Sequence, residues 1–175
     1  MHILHFTTVP SDVGDILMRS RGRGISGLWF VGPRAREGHG PQVAARDLVD
    51  AAELPEFLQA RDELDEYFAG RRTEFSVPLD MDHAQGTDFQ RRVWRELIKI
   101  PCGETRTYGQ IAKDMGAGRA FQAVGGAVGK NPVSIIVPCH RVVGARGNLT
   151  GYAAGLDIKR QLLTLEKALP TTGQC

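Results

Sequence analysis

Cys139, His140 and Arg141 stand in a row, putting a thiol, an imidazole and a guanidinium directly after the apolar run "SIIVP". A thiolate is a strong nucleophile, and a neighbouring base or cation makes it available near neutral pH. A lone buried cysteine is ordinarily an inert small hydrophobe. His140 and Arg141, however, are costly to bury without partners, which favours a reactive thiol. Ile135, Ile136 and Val137 predict a buried strand that Pro138 ends. In an extended strand, adjacent side chains point to opposite faces. Contact between Cys139 and His140 therefore needs a turn or a bridging water.

The remaining cysteines, Cys102 and Cys175, make the total odd, and no C-x-x-C is present. This speaks against a disulfide scaffold and for a reducing, cytoplasmic setting. The spacing fits no zinc motif, and His2, His5, His39 and His83 lack nearby partners, so no metal site is expected. No apolar run reaches the length of a membrane span, and the N-terminus has no basic stretch followed by an apolar one.

Elements must bring these groups together. "HILHFTTV", "VGDILMRS" and "GISGLWFVG" predict three strands of a small sheet. The "RSRGRG" turn between the last two is read as a solvated hairpin tip rather than a phosphate contact. Residues 43–52 look helical. "PEFLQARDELDEYFAG" is a stronger helix, with Pro55 in its first turn and Gly70 at its end. "EFSVPLD" predicts a further short strand, and "LDMDHAQGT" a linker. Thr87 and Gln90 form a capping box for "DFQRRVWRELIKI", whose Phe89, Val93, Trp94, Leu97 and Ile98 share a face. Two short helices, "YGQIAKDMG" and "RAFQAVGGAVGKN", suggest a helix-turn-helix. "RVVGARGNLTGY" reads as a hairpin wing and "LDIKRQLLTLEKAL" as a last amphipathic helix. Residues 1–85 carry 9 Lys/Arg against 14 Asp/Glu, and the rest 13 against 6. That contrast points the second half, not the first, toward a polyanion.

The stretch "NPVSIIVPCHRVVGARGNLTGYAAGLDIKRQLLTLE" resembles the signature region of the O6-alkylguanine-DNA alkyltransferases, and "GTDFQRRVWRELIKIPCGETRTYGQIA" matches that family's entry into its DNA-binding region. The likeness runs from about Gly86 through Glu166, while the first 85 residues fit only in outline. It implies an α/β protein of two domains: ribonuclease-H-like over residues 1–80, and a winged-helix domain over 86–169 carrying the reactive cysteine.

By that resemblance, Cys139 would accept the alkyl group from O6-alkylguanine, or O4-alkylthymine, irreversibly and once per molecule. His140 would take the thiol proton through a bound water, and Glu166 would orient His140. Asn131 would sit at a hinge between recognition helix and cysteine, and Tyr108 would contact the target phosphate. Tyr152, Ala153 and Ala154 would line the pocket, with Arg141 and Val142 beside the substrate. Arg119, Gln122, Ala123, Gly125 and Gly126 would meet double-stranded DNA through its minor groove. The nucleotide must be flipped out of the stack for a buried thiol to reach it. No cofactor is implied, and a monomer is expected. Gln122 departs from the family's usual intercalating arginine, Ala154 from glycine or tryptophan, and Cys102 from tyrosine or lysine. The rivals are a non-catalytic lesion sensor or DNA-binding regulator, which Cys139 argues against, and a Cys-His hydrolase, for which no oxyanion hole is apparent.

Overall fold

The computed structural model describes residues 3–32 and 49–169. The chain divides into two compact units, Met1–Gln85 with Pro132–Ser134, and Gly86–Asn131 with Ile135–Cys175.

The first unit is built on a four-stranded sheet of order β3-β2-β1-β4. Strands β1 (His5–Val9), β2 (Asp15–Ser20) and β3 (Ile25–Val31) form an antiparallel meander, as the three apolar runs predict. Strand β4 (Val49–Asp50) lies parallel to β1. The helix expected over 43–52 is thus replaced by a strand at 49–50, and residues 43–48 lie outside the described part. Helix α1 (Pro55–Phe68) starts with Pro55 in its first turn, buries Phe57, Ala60, Leu64 and Tyr67, and is followed by Gly70 at φ 70°. Its buried Glu63 accepts from the Ser76 and Val77 amides at 2.9 and 3.1 Å, which anchors the chain after the helix. "EFSVPLD" makes only a single parallel bridge, Leu79 with Ile25. A second bridge, Val133 with Leu28, also falls on β3. These two short pairings satisfy part of an edge strand that would otherwise expose its polar backbone.

In the second unit the capping box forms as read: the Gln90 amide donates to Thr87 Oγ1 (3.2 Å) and the Thr87 amide to Gln90 Oε1 (2.9 Å). It opens α2 (Asp88–Ile98), which buries Val93, Trp94 and Leu97 but leaves Ile98 exposed. Trp94 Nε1–H donates to the Ala127 carbonyl at 2.9 Å and so fixes α4 (Phe121–Gly129) to α2. A Cβ on Gly86 would stand 2.4 Å from the Trp94 ring, so the linker must end in glycine. Strand β5 (Arg106–Thr107) leads into α3 (Tyr108–Asp114), and residues 115–120 turn the chain into α4. The expected hairpin wing does not form. Residues 144–148 do turn, but β6 (Val142–Val143) pairs with β5, in parallel. Helix α5 (Leu156–Leu165) closes the unit, with Ile158, Leu162 and Leu163 inward.

Residues 135–137 are buried or half-buried as expected, yet they form a turn rather than a strand. Ile135 sits at φ 68°, a costly conformation for a β-branched residue. A short apolar run cannot by itself distinguish a buried strand from a buried turn. Here the Val137 carbonyl finds its donor in the Asn131 side chain rather than in a ladder.

A candidate thiol-transfer site

Pro138, at φ −81° and ψ 63°, makes a tight inverse γ-turn that lets the Cys139 amide donate to the Val137 carbonyl at 2.8 Å. Cys139, His140 and Arg141 then form one 3₁₀ turn.

His140 and Arg141 converge on Glu166, the residue that caps α5. His140 Nε2 lies 2.8 Å from Glu166 Oε1. Arg141 donates from Nε to Oε2 (2.9 Å) and from Nη2 to Oε1 (2.8 Å), and Nη1 donates to the Ile100 carbonyl at 2.6 Å. Burial alone would raise the Glu166 carboxyl, but the bonds and charges of His140 and Arg141 outweigh it and hold its pKa at about 2. The carboxylate therefore fixes the Nε2–H tautomer of His140. Nδ1, buried and without a protein hydrogen-bond partner, is left as the acceptor. Burial also pushes the imidazole's pKa below its ordinary value, against the pull of Glu166.

Cys139 is 5 % exposed. Asn131 Nδ2 donates to its Sγ at 3.0 Å and to the Val137 carbonyl at 2.8 Å, tying the thiol to the end of α4. Burial raises the thiol pKa. The Asn131 bond, the Lys159 charge and the Tyr152 hydroxyl oppose that rise without cancelling it. At rest the pair is a neutral thiol and a neutral imidazole, so the sulfur must lose its proton as it reacts.

Lys159 is absent from the sequence reading of the site. It is fully buried, and its ammonium donates to the carbonyls of Val142 (2.5 Å), Thr150 (3.0 Å) and Gly151 (3.4 Å). Burial lowers its pKa to about 8. The signal was available: a lysine on the apolar face of an amphipathic helix, one residue after Ile158. Tyr108 also donates to Thr150 O, at 3.2 Å, so the chain entering the 152–155 loop is held from two sides. Tyr152 and Ala154 are buried and Ala153 is half-buried.

The Arg141 guanidinium is committed to Glu166 and Ile100, and the Val142 side chain is in the core. Arg119, Gln122, Ala123 and Gly126 are exposed, and Gly125 is half-buried beside the Tyr108 ring. Among the described residues no group of three or more His, Cys, Asp or Glu is placed to hold a metal. None of their helices is long and apolar enough to cross a membrane.

Two family models match the chain: the ribonuclease-like domain of 6-O-methylguanine DNA methyltransferase over residues 4–81, and its DNA-binding domain over 88–168. A methylated-DNA–protein-cysteine methyltransferase of Mycolicibacterium paratuberculosis is 57% identical over 166 residues, covering 94% of this chain and 93% of the relative. The protein of that name from Mycobacterium tuberculosis is 44% identical over 169 residues, covering 95% and 94%. The crystal structure of Mycobacterium tuberculosis OGT in complex with DNA is similar with a TM-score of 0.81 at 44% identity, covering 94% of this chain and 93% of that one.

Proposed function

Because the chain belongs to the 6-O-methylguanine DNA methyltransferase family, we infer that it repairs DNA by moving an alkyl group from guanine O6 onto its own Cys139. O4-alkylthymine is the second class of alkyl donor. The observation that carries this reading is the turn at 139–141. It carries a buried thiol and, as the next residue, an imidazole whose Nε2 is locked by Glu166 and whose Nδ1 is open.

Cys139 Sγ attacks the alkyl carbon in line with the C–O6 bond. The thiol proton passes over a bound water to His140 Nδ1, and the C–O6 electron pair leaves with guanine, which is reprotonated. The product is a thioether, which has no hydrolytic return, so each molecule acts once. Glu166 stabilises the imidazolium that forms. Asn131 and Lys159 act on the sulfur as it gains charge, and the Tyr152 hydroxyl donates toward the guanine. Arg141 serves as the partner that keeps Glu166 ionised. The protein works as a monomer in the cytoplasm, where free thiols suit a reducing medium. Residues 86–169 engage the minor groove of DNA, and residues 1–80 form the ribonuclease-like domain. Tyr108 turns from Thr150 to the target phosphate. A non-catalytic sensor has no use for this arrangement of thiol and base.

Duplex DNA bearing one labelled O6-methylguanine tests the reading. One methyl per protein should move in a single burst and map to the peptide containing Cys139. Cys139→Ala should abolish transfer and keep DNA binding. Label on Cys102 or Cys175, or continued turnover, would overturn the assignment.

A further inference from the structure

The turn between β2 and β3 is more than a solvated tip. It closes over the 78–80 segment: the Ile25 amide donates to the Pro78 carbonyl (2.8 Å) and the Asp80 amide to the Ile25 carbonyl (2.9 Å). Gly24 lies at φ 139°, and a Cβ there would stand 2.7 Å from Pro78 O, so only glycine permits the approach. Beside it opens a solvent-facing cleft lined by Arg21, Arg23, Asp80 and His83.

The polar groups of this cleft do not satisfy one another. Asp80 is 8 % exposed. Its Oδ1 lies 2.7 Å from His83 Nδ1, whereas Oδ2 is buried with no hydrogen-bond partner. No hydrogen bond or ion pair engages Arg21 or Arg23 among the described residues. Arg19 adds a further positive charge near both Arg21 and Asp80. It is itself held by Ser26 and lies over the Trp29 ring at 5.1 Å. One carboxylate among three guanidiniums leaves the neighbourhood net positive, so its complement is an anion. The unpaired Oδ2 narrows the class, because it needs a hydrogen-bond donor. Sulfate has no proton to give at neutral pH, and a phosphodiester has none either. A phosphate monoester has charged oxygens for the arginines and, with a second pKa of about 6, still offers a P–OH.

We propose that the cleft binds a terminal phosphate group, with Arg21 and Arg23 taking its charged oxygens and Asp80 Oδ2 accepting its remaining O–H. The ligand is a nucleoside monophosphate or the phosphorylated end of a strand. This site is independent of the transfer reaction at Cys139.

The test follows the Gly22, Gly24 and Asp80 amide resonances of the full chain at roughly pH 6.5, where the P–OH form is populated. Inorganic phosphate, adenosine 5′-monophosphate and sulfate are titrated at one ionic strength. Saturable shifts are expected with the two phosphates, with sulfate weaker by about tenfold or more, the scale of one unmet buried acceptor. Arg21→Ala combined with Arg23→Ala, both in an accessible turn, should abolish the shifts. Asp80→Asn, which offers an N–H instead, should let sulfate bind as well as phosphate. Equal binding of sulfate and phosphate to the parent, or shifts that survive loss of both arginines, would overturn the proposal. A 5′-phosphorylated oligonucleotide shifting these amides more than its 5′-hydroxyl twin assigns the cleft to a strand end. Response to the mononucleotide alone assigns it to free nucleotides. A 5′-hydroxyl strand as effective as the phosphorylated one also overturns it, since diesters carry no P–OH.

Discussion

Glu166 orients His140 through Oε1 and neutralises Arg141 through both oxygens. Folding lowers its pKa from 4.5 to about 2, a shift equivalent to roughly 3 kcal/mol. A depressed carboxylate contributes fully above its unfolded value, so this stability is present above pH 4.5 and is lost as pH falls toward 2. His140 acts in the same sense: burial depresses it, so stability declines as pH falls below its ordinary 6.5. Glu166→Gln should flatten acid unfolding followed by circular dichroism. It should also cost about 3–5 kcal/mol at neutral pH, because it strands the Arg141 charge. Glu166→Gln combined with Arg141→Met should recover part of that loss but not the transfer rate. An unchanged acid limb in Glu166→Gln would mean the carboxylate is not the dominant group. The transfer rate itself needs neutral His140, and should stay level down to about pH 6.5 and fall only below it.

Helix α4 separates packing from function unusually well. A Cβ on Gly126 would meet nothing within 4 Å, so the fold does not require glycine there. Gly126→Ala should raise thermal stability by about 0.5–1 kcal/mol through helix propensity. If this face approaches DNA, the same change should weaken DNA binding in a titration; unchanged affinity would remove Gly126 from the interface. At the start of α4, Gln122 is exposed and Phe121 is 51 % exposed, an aromatic with little cover. Apolar side chains can enter base steps as wedges. Phe121→Ala and Gln122→Ala should slow transfer from duplex DNA while sparing free O6-methylguanine base, which needs no flipping. Gln122→Arg should speed the duplex reaction. Elements with strong local signals were legible in the sequence. The meander, α1, α2 and its Thr87–Gln90 box, and the two short helices all stand as read. A second box, Thr107 with Gln110, carries the same pattern and caps α3. The misread pieces, 43–52, 135–137 and the wing, are those whose backbone partners come from elsewhere in the chain. Cys139 and His140 were nameable because residue type signals their chemistry, and Glu166 through the family resemblance. Arg141's inward turn was not, because long cationic side chains are ordinarily exposed.

For the molecule as a whole, the two halves carry opposite charge, 9 Lys/Arg against 14 Asp/Glu before residue 86 and 13 against 6 from it onward. The structure reduces how much of that second total can reach a phosphate. Arg141 and Lys159 are buried and spent on internal partners. Arg91, Lys99 and Arg106 are paired with Asp88, Glu96 and Asp114. Lys113, Arg119, Lys130 and Arg146 are exposed and have no ion-pair partner among the described residues. Each phosphate neutralised releases counterion and adds about 0.9 to the slope of log affinity against log salt. With about four such contacts, the slope should be near −3 to −4, well short of what thirteen cations would give. Arg119→Gln and Lys130→Gln should each lower its magnitude by about 1 and weaken binding to lesion and normal duplex alike. Arg61→Gln, on α1 in the acidic half, should leave the slope unchanged, and so should Lys159→Met, despite its effect on transfer. Fluorescence anisotropy with a short duplex across a salt series reads all four. A flat parent response, or a slope that drops with Arg61→Gln but not with Arg119→Gln, would show that DNA is held by a different face from the one the charge contrast and α4 mark out.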